Sequence, residues 1–580
     1  MAARRDGPLI VQSDRTVLLH CHHPKADDAR ERLGQFAELL KSPDNLHTYK
    51  ISSLSLWNAA AAGLTPAEVV EFLNDYSMHP LPKALTGEIE ETMSRFGRLI
   101  LRRHESGSGL VLWVSEDLWE HVSQLEAIEE FIEGRDDDAK EMDVPEAYRG
   151  ELKRALVRSG YPVEDLAGYV EGDALDFDLI ETLPSGDPFA LRPYQSAAAR
   201  TFFQDGDLRG GHGVVVLPCG AGKTITAMGV MSLYKTKTLI LTNSTTAVRQ
   251  WIRELKEKTT LDDDQIGEYS AEVKEIRPVT ITTYQMITWR SAKLGGFPHF
   301  EAFLRENWGL VVYDEVHLLP APVFRMTAEL QARRRLGLTA TLVREDGKED
   351  EVFSLIGPKR YDMPWRRLER TGFIAKARCI EMRVPFGIED ARVYERAGRR
   401  DRYRLAAENP LKHKVLEGLL ERHKEDRVLI IGMYLKQLHQ VRAWTEAPLI
   451  TSRTSQADRE RLYADFREGR ISRLIVSKVA NFAVDLPDAN VAIQISGTFG
   501  SRQEEAQRLG RILRPKAHDR ETIFYTLLTD DTSELEFGRN RQLFLTEQGY
   551  TYEIRHARAT FPDLDWSGAE PRSGLAGRTQ

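Results

Sequence analysis

A glycine turn at residues 217–224 carries the strongest chemical signal in the sequence. It reads Leu-Pro-Cys-Gly-Ala-Gly-Lys-Thr and lies between an apolar run, Gly213–Pro218, and a helical stretch, Ile225–Tyr234. Glycines let successive amides point at an anion, and the N-terminus of a helix favours negative charge. A coincidental glycine turn is the alternative, because Leu217 stands where the strict phosphate-binding pattern has its first glycine. We predict a site for the phosphates of ATP, with Mg²⁺ on Thr224, at Gly220, Ala221, Gly222, Lys223 and Thr224.

Two adjacent carboxylates end another apolar run, Leu310–Tyr313. Asp314 can hold Mg²⁺ through its water shell, and Glu315 can accept a proton from an attacking water. Such a pair is often mere surface, but after a phosphate-binding turn in the same chain it is typical of a hydrolytic site. His317 is placed to relay the nucleotide state to the threonines of Leu338-Thr-Ala-Thr341. The alternative is that these threonines have only an ordinary structural role in a strand.

Arginines recur at three-residue spacing within Gln507–Arg514, which reads QRLGRILR. Arg508, Arg511 and Arg514 would share one face of a helix. Surface arginines at this spacing are often only solvated. Guanidinium groups that reach the outermost phosphate from a second domain would instead stabilise transition-state charge and make hydrolysis depend on domain closure. Together with the glycine turn, this motif predicts a two-domain motor driven by ATP.

The elements that must position these residues are buried parallel strands separated by helices. In the second half of the chain, apolar runs at residues 427–432, 473–477 and 491–496 are typical of such strands. These runs predict a second α/β unit that begins near Gly372 and has no phosphate-binding turn of its own.

Residues 1–185 form a region of different character. Three helical stretches and a hairpin pattern over about residues 51–114 predict a winged-helix-like unit, in which Thr65-Pro-Ala-Glu68 is a capping box. Two functions stay open for this unit, contact with duplex DNA and docking of a protein. The arginines near its predicted wing are Arg98, Arg102 and Arg103.

The composition is that of a globular protein with several domains. The chain has 580 residues, of which 41% are hydrophobic and 29% charged, and three scattered cysteines. It contains neither a long apolar run nor a secretory signal, so we expect no membrane contact and a cytoplasmic location. Because the formal net charge is −8, any nucleic-acid site must be a local basic track.

Taken in order, the motifs of the chain resemble those of superfamily 2 helicases. They are LRPYQ (191–195), LPCGAGKT (217–224), TNSTTAVRQW (242–251), ITTYQ (281–285), DEVH (314–317), LTATLVRED (338–346), SKVANFAVDLP (477–487) and QRLGRILR (507–514). Five features narrow the resemblance to the xeroderma pigmentosum group B (XPB) helicases. They are the residues Arg344-Glu-Asp346 (RED), the LPCGAGKT turn, and the phrases SRQEEAQRLGR, PLIVQSDRTVLL and GYPVEDLAGYVEGD. The resemblance covers nearly the whole chain, and the lack of a lysine-rich nuclear signal is typical of a bacterial member.

The resemblance implies roles for residues around the nucleotide. Gln195 would bind the adenine, with Arg192 beside it, and Asp485 would also contact the nucleotide. Arg511 and Arg514 would act as arginine fingers, with Gln507 nearby. The implied catalytic set is Lys223, Asp314, Glu315, Gln507, Arg511 and Arg514.

Contacts with DNA are implied in the same way. Arg344, Glu345 and Asp346 are implicated in opening the duplex. A short thumb-like insertion at about residues 387–410, in which arginines alternate with tyrosines, suits phosphate contact and base stacking, with a charged exposed helix as the alternative. The arginines concerned are Arg399, Arg400 and Arg402. The residues expected to contact the phosphates of one strand are Asn243, Ser244, Thr245, Thr282, Thr283 and Thr454.

The predicted fold is α/β, with two RecA-like parallel-sheet helicase domains and an N-terminal α+β accessory region. The expected boundaries are 1–134 for the accessory region with its winged-helix-like unit, 135–185 for a linker and small damage-recognition-like segment, 186–371 and 372–555 for the helicase domains, and 556–580 for a tail.

The function implied is that of an ATP-dependent 3′–5′ DNA helicase in DNA repair, acting on single-stranded and forked DNA with Mg²⁺ as cofactor. A nuclease partner and association with a bacterial nucleoid are expected by resemblance. Two alternatives remain: a translocase that moves double-stranded DNA without opening it, and a damage-recognition protein that ATP switches.

Overall fold

The structure is a computed structural model of the chain. It describes residues 6–41, 45–104, 109–167, 171–207, 210–218, 220–290, 297–319, 326–327, 330, 332–340, 349–371, 373, 377–477, 489–497, 522–547 and 552–566. The chain divides into two compact units, Met1–Pro218 with Gly222–Pro364 and Cys219–Ala221 with Trp365–Gln580. Along the described stretches, no helix combines the length and the apolar composition needed to cross a bilayer.

The accessory region of the first unit contains two sheets and six α-helices among its described residues. Its elements are β1 (Leu9–Val11), β2 (Thr16–His20), α1 (Ala26–Leu33), β3 (Glu38–Lys41), β4 (Leu46–Lys50), α2 (Ser53–Ala61), α3 (Pro66–Tyr76), α4 (Lys83–Ser94), β5 (Leu99–Arg103), β6 (Leu110–Val114), α5 (Glu116–Ser123), β7 (Gly134–Asp136), β8 (Glu141–Val144), α6 (Arg149–Arg158) and β9 (Glu164–Asp165). One sheet has the strand order β1-β2-β4-β3, and the other has the order β7-β8-β6-β5-β9.

The helices and the hairpin predicted for residues 51–114 are present as α2, α3, α4 and β5-β6, and Thr65 with Glu68 forms the expected capping box. The hairpin is not a free wing, because β6 also pairs with β8 and β5 also pairs with β9. The three arginines predicted near the wing form ion pairs with acidic neighbours: Arg98–Asp117 (3.1 Å), Arg102–Glu141 and Arg103–Glu146 (2.9 Å). Contact of this unit with DNA or with a protein stays a prediction.

A parallel seven-stranded sheet forms the rest of the first unit. Its elements are α7 (Pro193–Phe203), β10 (His212–Val216), α8 (Lys223–Tyr234), β11 (Thr238–Thr242), α9 (Thr245–Lys258), β12 (Ile266–Tyr269), β13 (Val279–Thr283), α10 (Tyr284–Ile287), α11 (Pro298–Leu304), β14 (Leu310–Asp314), β15 (Arg334–Thr339), α12 (Glu349–Leu355) and β16 (Lys359–Asp362). The strand order is β12-β13-β11-β14-β15-β10-β16. Strands β11 and β13 are buried along their whole length, which explains their continuous apolar and threonine-rich sequences.

The second unit has a parallel seven-stranded sheet of its own. Its elements are α13 (Trp365–Arg370), β17 (Ala377–Val384), α14 (Ile388–Arg396), α15 (Arg399–Ala407), α16 (Leu411–Arg422), β18 (Val428–Ile431), α17 (Leu435–Thr445), β19 (Leu449–Ile450), α18 (Gln456–Arg467), β20 (Arg473–Val476), β21 (Val491–Gln494), β22 (Thr522–Thr529), α19 (Ser533–Glu547), β23 (Tyr552–His556) and α20 (Ala557–Thr560). The strand order is β19-β20-β18-β21-β22-β17-β23. The prediction of two parallel-sheet domains behind an N-terminal accessory region is confirmed.

The accessory region packs directly on the first parallel sheet and its last helix. The Trp57 ring of α2 lies 6.2 Å from the Phe353 ring of α12, and Val157 of α6 joins the same buried cluster. The side-chain carbonyl of Asn58 accepts a hydrogen bond of 2.9 Å from the Lys359 amide at the start of β16. These contacts explain why the accessory region and the first sheet form a single compact unit.

Candidate nucleotide-binding and active site

The glycine turn connects β10 to α8, as the sequence predicts. Gly220 and Gly222 have φ values of +82° and +79°, which side chains rarely adopt, and Gly222 is the N-cap of α8. A Cβ atom on Gly222 would lie 2.5 Å from the side-chain nitrogen of Gln195. The backbone conformation therefore favours glycine at residue 222, and a larger residue would also have to displace the Gln195 side chain.

Lys223 and the predicted carboxylates lie together at the carboxyl edge of the sheet. The Lys223 ammonium is 3.2 Å from Oε1 of Glu315, which follows β14 directly. Glu315 adopts a left-handed backbone conformation with φ of +51°. Such strained conformations in non-glycine residues occur preferentially at functional sites. In this arrangement the lysine that would meet the phosphates also orients the carboxylate that would activate water.

Asp314 is held from two sides by aromatic residues. Nε1 of Trp251 donates a hydrogen bond of 2.9 Å to the Asp314 carboxylate, and the Tyr284 hydroxyl donates one of 2.8 Å to the Asp314 carbonyl. Burial and then the charge of Glu315 raise the pKa of Asp314 to about 6, although Trp251 and Lys223 act in the opposite direction. A divalent cation would offset this unfavourable concentration of negative charge, so the carboxylate fits a metal-binding role.

The proposed metal site has few protein ligands. Thr224 lies in the first turn of α8, and both it and Asp314 are partly exposed. Within the described part of the chain, no group of three or more histidine, cysteine or acidic residues could hold a metal ion by itself. A hydroxyl and one carboxylate, completed by phosphate oxygens and water, suit Mg²⁺, which usually keeps several waters.

His317 connects the carboxylates to the strand that carries the predicted relay. Its Nδ1 lies 2.7 Å from the Thr339 hydroxyl and 3.5 Å from Oε2 of Glu315. The register places Thr339, the last residue of β15, beside Val216 at the end of β10. The structure therefore brings together His317, Glu315 and Thr339 as expected, while Thr341 lies outside the described residues.

Gln195 and Arg192 lie at the start of α7, next to the glycine turn. The Arg192 amide donates a hydrogen bond of 2.9 Å to the Gln195 side chain, and Pro193 occupies the first helical position. Gln195 is buried. Its closeness to Gly222 agrees with a place beside the nucleotide, and recognition of adenine stays a prediction.

The residues predicted to contact DNA in this unit lie at the carboxyl ends of β11 and β13, at the same edge of the sheet. Ser244 caps α9 by accepting a hydrogen bond from the Ala247 amide, and Thr283 caps α10 by accepting one from the Met286 amide. Thr245 is exposed, and Asn243 is partly exposed. Thr282 differs from these residues, because it is fully buried.

The Thr282 hydroxyl donates a hydrogen bond of 2.7 Å to the Tyr269 carbonyl. The hydroxyl therefore points into the sheet, where it fixes the adjacent strand end, and contact of Thr282 with DNA stays a prediction.

In the second unit, Arg402 of α15 does not extend freely into solvent. Its guanidinium donates hydrogen bonds to the carbonyls of Tyr394 (3.2 Å) and Glu395 (2.6 Å) and lies 5.7 Å from the centre of the Tyr394 ring. Thr454 accepts a hydrogen bond of 3.0 Å from the Thr451 amide. Arg399 and Arg400 lie in the first turn of α15, and the structure describes their backbone only. Contact of these residues with DNA stays a prediction.

Several predicted residues lie outside the described residues, so their roles stay predictions. They are Arg344, Glu345, Asp346, Asp485, Gln507, Arg511 and Arg514.

Sequence reasoning missed the two aromatic residues that hold Asp314. Trp251 is the last residue of the motif TNSTTAVRQW, and Tyr284 lies in the motif ITTYQ. In both motifs, a role is predicted only for residues with hydroxyl or amide side chains. The burial of Trp251 on the inner face of α9 could be predicted from helical spacing. Its hydrogen bond to a residue 63 positions away could not.

Removal of the Asp314 charge is expected to stabilise the nucleotide-free protein. Because the folded-state pKa is raised, the wild type loses stability as pH increases from the unfolded-state value, near 4, to about 6. Asp314→Asn should therefore raise the free energy of unfolding by about 3 kcal/mol at pH 8, and this gain should disappear near pH 4. Thermal unfolding without Mg²⁺ or nucleotide measures the free energy of unfolding at both pH values. The control is Asp263→Asn, which changes an exposed carboxylate. An Asp314→Asn variant that is no more stable than wild type at pH 8 would contradict the conclusion that the buried charge of Asp314 destabilises the folded protein.

Comparisons with known protein families account for nearly the whole chain. The model described as ERCC3/RAD25/XPB C-terminal helicase matches residues 368–566. A helicase conserved C-terminal domain model matches residues 9–134, and the model of the type III restriction enzyme res subunit matches residues 188–344.

Curated relatives match over almost their full length. The chain is 49% identical to a DNA 3′-5′ helicase XPB of Kineococcus radiotolerans, covering 95% of this chain and 96% of the relative. It is also 49% identical to the protein of the same name in Mycobacterium tuberculosis, with 95% and 98% covered. The chain belongs to the XPB helicase family. A more distant family member is the general transcription and DNA repair factor IIH helicase/translocase subunit XPB of Antonospora locustae, which is 32% identical over 96% of this chain and 83% of that protein.

Proposed function

We propose that this XPB-family chain is an ATP-dependent DNA helicase that moves in the 3′–5′ direction and acts in DNA repair. The observation that carries the proposal is the grouping of Lys223, Asp314 and Glu315 at one edge of a parallel sheet, directly after the glycine turn. This grouping supports ATP hydrolysis, and the names of the bacterial relatives support the direction of movement and the DNA substrate.

The residues of the first unit would divide the work of hydrolysis among them. The α8 N-terminus and the Lys223 ammonium would bind the phosphates, while Thr224 and Asp314 would hold Mg²⁺. When bound, Mg²⁺ would neutralise the charge that develops on the phosphate oxygens. Glu315 would then accept a proton from the attacking water, since its carboxylate is held at the end of β14.

Release of Lys223 from Glu315 would couple nucleotide binding to catalysis. Phosphate oxygens would compete with the Glu315 carboxylate for the Lys223 ammonium, which lies 3.2 Å from Oε1 of Glu315. Binding of ATP would draw Lys223 to the phosphates and leave the Glu315 carboxylate available to water. Arg511 and Arg514 would complete the site from the second helicase domain, as the family resemblance implies.

Two assays together test the proposal. ATP turnover would be measured with and without single-stranded DNA, beside strand displacement on duplexes with a 3′ tail, a 5′ tail or blunt ends. We expect DNA-stimulated turnover and displacement from the 3′ tail only, both lost in Lys223→Ala. Displacement from the 5′ tail alone would contradict the assigned polarity.

A second candidate function is translocation along double-stranded DNA. The relative from Antonospora locustae is named as a helicase/translocase subunit, and this name favours the candidate. Turnover stimulated by duplex DNA, with release of a triplex-forming strand but no strand separation, would support it. A nuclease partner and association with the nucleoid rest on family resemblance alone and stay predictions.

A further inference from the structure

A half-exposed tryptophan lies just beyond the residues predicted to contact DNA phosphates. Trp289 follows α10, and 49% of its surface is accessible to solvent. Its amide donates a hydrogen bond of 3.4 Å to the Met286 carbonyl, which continues the turn at the end of the helix. About half of the surface of this large aromatic residue therefore stays in water unless something covers it.

The indole is supported on one side by a rigid set of rings. The His299 ring lies 5.1 Å from the Trp289 ring at an angle of 44°. Nδ1 of His299 is hydrogen-bonded to the Tyr269 hydroxyl at 3.0 Å, and the Tyr269 ring packs at 4.8 Å from Phe303. Burial and the charge of Lys274 lower the pKa of His299, so this support is uncharged at neutral pH. Little conformational entropy would be lost when a flat ligand covers the exposed indole face.

The position of this ring set follows from the sheet register. Tyr269 is the last residue of β12, and it pairs with Thr282 in β13, while Thr283 pairs with Thr242 in β11. The carboxyl ends of β11, β13 and β12 therefore form a continuous row at one edge. Neighbouring strands lie about 4.8 Å apart, so the backbone of Tyr269 at the end of β12 lies about 10 Å across the row from the end of β11. Along the chain, Trp289 lies six residues after Thr283, which is predicted to contact a phosphate, and the short helix α10 lies between them.

Cationic side chains accompany the exposed ring. The Lys274 ammonium lies 4.8 Å from the centre of the Tyr269 ring, and Lys274 is exposed. Arg290, also exposed, places its guanidinium 4.7 Å from the centre of the Phe297 ring. Aromatic faces beside positive charges are typical of sites that stack bases while attracting the phosphate backbone. Lys274 and Arg290 each place a positive charge against a ring of this region, in a chain whose formal net charge is −8.

We propose that the exposed face of Trp289 stacks on a base of the single strand held at the carboxyl edge of the first sheet. This inference rests on the proposed function, since it presupposes that the edge binds DNA. It adds a base contact to a set of contacts that is otherwise directed to phosphates. Base stacking tolerates every sequence, because each base presents a flat π surface.

Binding of a fluorescent oligothymidine and of the same strand with abasic sites tests the proposal. Wild type should bind the oligothymidine more tightly than the abasic strand. Trp289→Ala should weaken oligothymidine binding by about 5- to 150-fold, because one stacked base contributes about 1–3 kcal/mol. Binding of the abasic strand should change little, and Trp289→Phe should retain most of the wild-type preference.

The matched control is Trp444→Ala, which removes a similarly exposed tryptophan (41%) from the second unit. It should leave the preference for bases unchanged. The loss caused by Trp289→Ala should also be independent of salt concentration, since it involves no release of counterions.

Two outcomes would overturn the inference while the proposed function stands. Equal binding of both strands by wild type and by Trp289→Ala would show that the exposed indole does not stack on a base. An equal loss on both strands would assign it a structural role. Failure of wild type to bind either strand would instead remove the proposed function and, with it, the inference.

Discussion

Glu315→Gln is expected to lower ATP turnover by about 10²- to 10⁴-fold while leaving ATP binding nearly unchanged. Glutamine has the same shape but cannot accept a proton from the attacking water. The residue would keep its place after β14, and the Lys223 ammonium would still reach the phosphates. Steady-state turnover in the presence of single-stranded DNA measures the loss, and binding of a fluorescent ATP analogue measures the retained affinity.

The control for this substitution is Glu181→Gln, which neutralises an exposed carboxylate of the same unit and should leave turnover unchanged. A Glu315→Gln variant with turnover within about threefold of wild type would exclude proton transfer to Glu315 as a major contribution. A matching loss of ATP binding would show that the 3.2 Å contact with Lys223 supports the phosphate site itself.

Lys412→Met is expected to be the most destabilising of the substitutions considered for the second unit. Lys412 of α16 and Glu534 of α19 are fully buried, and the ammonium lies 2.8 Å from both carboxylate oxygens. The ammonium also donates to the Ile495 carbonyl, and Glu534 accepts from the Thr529 amide. Removal of one partner leaves a buried charge uncompensated, which costs about 3–5 kcal/mol. Chemical denaturation followed by circular dichroism would measure this loss.

The same helix provides the control. Lys414 is two residues away and pairs with Asp565 at the surface. Lys414→Met should therefore lower the free energy of unfolding by less than about 1 kcal/mol. The double variant Lys412→Met with Glu534→Gln should regain part of the stability, since it removes both charges. Equal effects of the two lysine substitutions would contradict the assigned burial of the pair.

Part of the site could be predicted from the sequence because its chemistry depends on neighbours along the chain. The glycines of residues 220–222, the lysine after them and the helix that follows are contiguous, so the phosphate site can be recognised without knowing the fold. The same holds for Asp314 and Glu315, which end an apolar strand. Parallel strands of one sheet have their carboxyl ends at the same edge, and this rule predicts that the glycine turn and the two carboxylates lie close together.

Other features had no local signal. The sequence neighbours of Lys412 do not distinguish it from an ordinary surface lysine, and its partner Glu534 lies 122 residues further along the chain. Trp289 resembles any apolar residue near a helix end, and only the fold leaves its indole exposed beside Tyr269 and His299. Thr282 belongs to a motif that predicts contact with DNA, but burial within the sheet turns its hydroxyl towards the Tyr269 carbonyl.

The sequence by itself determined the fold class and the family and predicted the chemistry of the phosphate site, because all three depend on short contiguous patterns and their order. The tertiary structure decided which polar groups are buried and which are exposed, and therefore that Trp251 holds Asp314 and that Lys223 pairs with Glu315. It also joined the accessory region to the first sheet through Trp57 and Phe353. Such contacts depend on the packing of segments far apart in the chain, and residue types alone do not specify that packing.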